Sequence, residues 1–353
     1  MLFALRNQLL RATALGALVV GAACGGSPAA TGASGTAAPA AHSSAAASGQ
    51  TYTIKYAVLL TPNDPIGQAA NEFKDLVESR SDHRISVQVY LNGALGDGPS
   101  EISQAQSDAV QVIQASPAFV TQWVPQVGAV NIWFSVPNDA GAIKAVNSDA
   151  FSKWNDAIRT KAGLRVLAWE DFGMYAIETK KPIRTAADLK GLKIRSTPDK
   201  YVQLTLRSLG AVPTVVPFPE TVTDLQTGVL DGDIDPIVSA LKTSEYQVAK
   251  YITIVNGGWG PALILMSDKF YQQLPPDLQK IVIQAGKDAA DHEAANYASQ
   301  EKQALSDLAS KGAVLYTLPA AERQSWIAKV QPVYARFKKD TGLSVDQIVP
   351  KTQ

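Results

Sequence analysis

The feature that most restricts the fold is a regular exchange, from Tyr52 onward, of strand-like for helix-like segments, closed by one helical pattern of unusual length. Residues 52–60 alternate in polarity and are followed by the turn Thr61-Pro62-Asn63-Asp64-Pro65. A helical stripe of Ala69, Phe73, Leu76 and Val77 then runs to Arg80. The alternating run 84–91 ends at Asn92-Gly93, a turn dipeptide. The exchange continues with a helix over 99–107, a strand over 109–114, a helix over 143–162 and a strand over 164–169. Beyond these come a strand at 191–196, a helix at 199–209, a strand at 212–216, a helix at 219–228 and a strand at 260–266. Such alternation implies an α/β architecture with largely parallel strands. Pro275 and Pro276 open the last pattern, Asp277 to Ser310, and Gly312 suits a left-handed cap. Two readings of it stay open: a spine packed against two lobes, or two helices broken near Gly286.

The first 50 residues stand outside this pattern. Arg6 and Arg11 precede an uncharged run from Ala12 to Ala23, the layout of a secretory signal peptide over residues 1–23. Gly21-Ala22-Ala23 leads to Cys24, the only cysteine in the chain, in the manner of a bacterial lipobox with Gly21 in place of leucine. Residues 25–50 contain only Gly, Ala, Ser, Thr, Pro, one His and one Gln. Such a stretch buries too little surface to fold and behaves as a tether. The expectation is export, to the periplasm or the outer face of the cell membrane, with Cys24 as the lipidated residue and 24–50 as anchor and linker.

The composition argues against several functions. The 32 basic and 32 acidic side chains leave no net charge and no basic stretch to serve as a footprint for nucleic acid. His42, His83 and His292 are too scattered for a metal site. No Gly-x-Ser-x-Gly elbow and no phosphate-cradling Gly-x-x-x-x-Gly-Lys loop occurs. The acids Asp231, Asp233 and Asp235 alternate as calcium ligands can, without the bidentate glutamate that would complete a loop. No catalysis, cofactor or metal is therefore expected, and binding is the better reading. An exported hydrolase remains the alternative from another class.

Several ordered motifs carry a family resemblance. The run Ala187-Asp188-Leu189-Lys190-Gly191-Leu192-Lys193-Ile194-Arg195 resembles the signature of solute-binding proteins of tripartite ATP-independent periplasmic (TRAP) transporters, the DctP-type family. Leu209-Gly210-Ala211-Val212-Pro213, Pro217-Phe218-Pro219-Glu220 and Leu225-Gln226-Thr227-Gly228-Val229-Leu230-Asp231-Gly232 continue it. Asn92-Gly93-Ala94-Leu95-Gly96 upstream and Ser267-Asp268-Lys269-Phe270 downstream fit in the family's order. An ABC-importer binding protein shares the lobes but not this ordered set. The resemblance implies a two-lobed periplasmic-binding-protein fold with crossing hinge strands and a long spine helix. One lobe would take 51–172 with 261–300, the other 173–260 with 301–353. It also implies a monomer that captures a small molecule between the lobes and delivers it to TRAP membrane permease subunits.

By the same resemblance Arg195 grips a ligand carboxylate, which suits a planar fork that is always charged. On sequence alone it reads first as a surface or ion-pair residue. Phe218 matches a position that packs on the ligand, or is a core aromatic. Ser116, or Gln114 if the match slips, falls at a polar contact. Trp259, flanked by Gly257-Gly258 and Gly260-Pro261, lines the cleft or packs a hinge. Two positions depart from the family pattern: Tyr175 stands where many members have a second arginine, and Asp235 where an asparagine is usual. Both remove positive character, which counts against a plain organic acid, so the expected ligand classes are an organic acid, a zwitterion and a polyhydroxy compound.

Overall fold

The computed structural model describes residues 49–349; the signal peptide, Cys24 and nearly all of the linker lie outside the described residues. Nine strands form one sheet: β1 (Tyr52–Ala57), β2 (Ile85–Tyr90), β3 (Val112–Ala115), β4 (Leu164–Thr179), β5 (Lys193–Ser196), β6 (Val212–Val215), β7 (Gly232–Pro236), β8 (Tyr251–Ser267) and β9 (Val314–Thr317). Their order is β2-β1-β3-β8-β4-β7-β5-β6, with β9 added to β8. Around them pack α1 (Pro65–Arg80), α2 (Gly98–Ser107), α3 (Asp139–Val146), α4 (Asp149–Ala162), α5 (Lys200–Ser208), α6 (Thr221–Thr227), α7 (Ile237–Thr243), α8 (Asp268–Gln273), α9 (Pro276–Ser310) and α10 (Ala320–Thr341).

Parallel pairing holds within each half of the sheet and fails between them. β1 pairs in parallel with β2 and β3, and β5 with β6 and β7. The halves are joined by β4 and β8, which run antiparallel over 16 and 17 residues. β3 pairs with the Leu263–Met266 end of β8, whereas β7 pairs with the Tyr175–Thr179 end of β4. These are the crossing strands of a two-lobed α/β fold. The sequence shows only part of each, 164–169 and 260–266. Glu170, Asp171 and Gly173 break the apolar pattern of β4, and its register against β8 shifts between Asp171 and Ala176. Gly173 sits at the shift with φ +88°, and an added Cβ would lie 2.1 Å from the Tyr297 hydroxyl. Only glycine fits there.

The helix expected over 143–162 is two helices, because Asn147 ends α3 and Ser148 stands at the N-cap of α4. α9 is one helix of 35 residues. Gly286 does not break it; a Cβ there would come 2.9 Å from Leu167 Cβ, so the glycine admits close packing on β4. Its buried stripe of Leu278, Val282, Ala285 and Ala289 follows helical spacing. The helix rests on β4 and α1, and farther along on α7 and β9, as a spine touching both halves of the sheet. α1 begins at Pro65, with the Asp64 carboxylate accepting from the Ile66 N–H at 3.0 Å, and buries Ala69, Phe73 and Val77.

Candidate functional site

The ends of the parallel strands converge. Leu59 and Leu60 follow β1, Ser116 follows β3, Thr197 follows β5 and Phe218 lies three residues past β6. Together with Tyr175 of β4, Arg195 of β5 and Asp235 of β7 they line a cavity of about 230 Å³. Open α/β sheets place ligands outside the carboxyl ends of their strands, and a cavity of this size suits a small metabolite.

Arg195 is the polar centre of the wall. In β5 Ile194 turns into the core, which sends Arg195 to the opposite side, where it remains only 7% exposed. Its guanidinium stands 5.1 Å from the Phe218 ring centroid, and its Nη1 lies 3.7 Å from Asp233 Oδ1. Its Nε has no partner among the described residues. Burial works against the charge, but Asp233, Asp235 and Glu245 together hold the guanidinium firmly protonated.

A cluster of carboxyl groups backs this arginine. Asp233 and Asp235 share one face of β7; Glu178 of β4 pairs opposite Asp233, and Glu245 follows α7. All four are buried. Burial, then Glu245 and Asp233, push the Asp235 carboxyl well above its ordinary range. Burial and Asp233 raise Glu245 to about 8. Asp233 rises by burial only to about 6, because Arg195 opposes the shift. Glu178 is raised well above its usual value by burial and by Glu245. One guanidinium cannot neutralise four carboxylates in a dry setting, so the cluster is displaced toward its protonated forms, Asp235 with an exposure of only 1% among them. Asp233, Asp235 and Glu245 each bring an oxygen within 4.8 Å of the others, close enough to hold a cation; Arg195 already supplies positive charge there. Asp231 takes no part, since its carboxylate accepts from the Lys193 N–H at 2.9 Å.

Five of the residues expected from the sequence, Arg195, Phe218, Asp235, Tyr175 and Ser116, line this one cavity, as does Gln114. Ser116 also caps the turn Pro117–Val120, its hydroxyl accepting from the Ala118 N–H at 3.3 Å. The cleft reading of Trp259 is corrected. It is 0% exposed, it does not line the cavity, and its indole N–H donates to Asp171 Oδ1 at 2.8 Å. That bond ties β8 to β4 where their register shifts, the hinge-packing alternative. Sequence reasoning missed Glu178 and Glu245, and with them the apolar wall of Leu59, Leu60, Phe119, Phe172 and Val215. Their isolated positions carry no signal until the strands bring them together.

The chain is similar to known proteins in sequence and in fold. The family model described as bacterial extracellular solute-binding protein, family 7 (DctP) matches residues 56–340. The C4-dicarboxylate-binding protein DctB of Bacillus subtilis is 27% identical over 82% of this chain and 83% of its own length. The ectoine-binding periplasmic protein TeaA of Halomonas elongata is 27% identical over 77% of this chain and 81% of its own. A TRAP periplasmic solute-binding protein from Shewanella oneidensis, solved with bound succinate, superposes with a TM-score of 0.81 at 25% identity, covering 85% of this chain and 98% of that one.

Proposed function

This chain belongs to the DctP family, family 7 of the bacterial extracellular solute-binding proteins, and from that premise we propose that Arg195 anchors the carboxylate of a small metabolite in the cavity between the lobes. The observation that carries this is the buried guanidinium in the cavity wall, with Nε unpartnered and Phe218 over its face. A carboxylate is the planar partner such a fork takes. Asp235, where the family resemblance places an asparagine, has its carboxyl displaced toward the neutral form by burial and by Glu245. A carboxyl displaced toward its neutral form opposes an anionic ligand less than an ordinary carboxylate would. Relatives named for C4-dicarboxylates and a structure holding succinate support a carboxylate-bearing solute.

The strand pairing supports lobes of 51–172 with 261–300 and 173–260 with 301–353, closing about β4 and β8. Closure adds contacts that only the bound state makes. The loaded protein hands its solute to TRAP membrane subunits, and Cys24 tethers it to the membrane by an acyl chain and the linker. It is a binding protein and not an enzyme. A thermal-shift screen of carboxylates tests the reading. Ligand at a hundredfold excess over its Kd adds about 2.7 kcal/mol, and the compound must be recovered unchanged. Conversion of a bound compound, or stabilisation only by ligands lacking a carboxylate, would refute it.

A further inference from the structure

We propose that the ligand is a monocarboxylate with an uncharged, largely apolar body, such as a branched aliphatic or arylalkanoic acid, and not a dicarboxylate or a sugar acid. This rests on the reading that Arg195 takes a carboxylate, and it specifies the rest of the molecule.

The wall of the cavity has one positive charge to offer. Among its lining residues only Arg195 is cationic. The acidic residues there are Asp97 and Asp235. A second ligand carboxylate would leave water without a counter-charge and would approach Asp97, which is fixed as the N-cap of α2 by accepting from the Ser100 N–H at 3.1 Å. Dicarboxylates are therefore rejected by the wall itself.

The remainder of the lining is mostly apolar. Leu59, Leu60, Phe119, Phe172, Val215 and Val216 are among the lining side chains. Val215 is 50% exposed, one of the few large apolar side chains left uncovered among the described residues. An apolar ligand body would cover it and gain by removing both surfaces from water. The uncharged hydrogen-bonding side chains are Gln114, Ser116, Thr197 and Tyr175, and the Ser116 hydroxyl already accepts a backbone bond. A sugar acid would bury several hydroxyls against valine, leucine and phenylalanine without partners, each at a cost. Gln114 Oε1 is buried and unpartnered, so one hydroxyl or N–H beside the carboxylate is accommodated.

The test is isothermal titration of the exported chain with 4-methylpentanoate and phenylacetate on one side, and succinate and galacturonate on the other. At least one monocarboxylate should bind at least tenfold more tightly than either competitor. A succinate or galacturonate affinity equal to or above both monocarboxylates overturns this inference while leaving carboxylate capture intact. Binding by none of the four overturns the carboxylate reading and this inference together. Tyr175→Arg adds an independent check: restoring a second cation should raise succinate affinity relative to phenylacetate by tenfold or more. An unchanged ratio in the folded variant contradicts the single-cation argument. Should the variant not fold, the wild-type titrations decide alone.

Discussion

The buried carboxyl cluster makes stability depend on pH in an unusual direction, and Asp235→Asn exposes the cause. Glu245 rises by burial to about 8 in the folded chain from an ordinary 4.5, and Glu170 of β4, buried near Asp64, rises likewise to about 8. Asp235 is displaced upward by burial and by Glu245. Between the unfolded and folded values the native state binds more protons than the unfolded chain, so raising pH favours unfolding. Stability is greatest below about pH 4.5, where both states hold these protons. It falls as pH climbs through 8, each group contributing a slope of at most about 1.4 kcal/mol per pH unit. Asparagine keeps the shape of protonated Asp235 and cannot ionise. Asp235→Asn should gain on wild type as pH rises from 5 to 8, by at most about 1.4 kcal/mol per pH unit, because wild type alone must keep Asp235 displaced from its ordinary range. Guanidinium unfolding at pH 5, 6.5 and 8, read by tryptophan fluorescence, measures both. Parallel pH curves for the two proteins, or wild-type stability that rises from pH 5 to 8, would show that the cluster is compensated by something other than protons.

Two further outcomes are expected. Trp259→Phe removes the indole N–H that Asp171 accepts at 2.8 Å and should cost about 1–3 kcal/mol of stability with ligand affinity little changed; calorimetry showing a large affinity loss at unchanged stability would return Trp259 to the cleft. Cys24→Ser should release the protein into the soluble fraction after cell fractionation, since the remaining chain has no acyl attachment; persistent membrane association of the variant would rule out the cysteine as anchor.

Much of the fold can be read in the sequence because it rests on local patterns. The stripe of α1, the alternation of β1 and β2 and the proline start of α9 all mark elements the structure contains. The crossing strands could be read only in part. Their middles pass from one half of the sheet to the other, where Glu170, Asp171 and Gly173 meet tertiary needs and not a strand pattern. α10 went unread, although Trp326, Val330 and Phe337 are buried on it, for Pro332 lies within the helix. Arg195 was legible as a residue on the polar face of a short strand inside a family motif. Its acidic surroundings were not, because Glu178 and Glu245 stand far from it in sequence and acquire meaning only where β4, β7 and the turn Glu245–Gln247 meet. The Asp235 departure reads in sequence as an added negative charge. Burial opposes that by displacing the carboxyl toward its protonated form.

The most direct test of the account is the affinity of Arg195→Ala for the tightest-binding carboxylate, measured by calorimetry beside wild type with circular dichroism confirming the fold. The guanidinium is buried in the cavity wall, so its removal deprives the ligand of its charged partner. The expected loss is on the order of 2–5 kcal/mol, about thirty-fold to several-thousand-fold in Kd. An unchanged Kd in a folded Arg195→Ala protein would contradict the assignment of this cavity and this arginine as the site of capture.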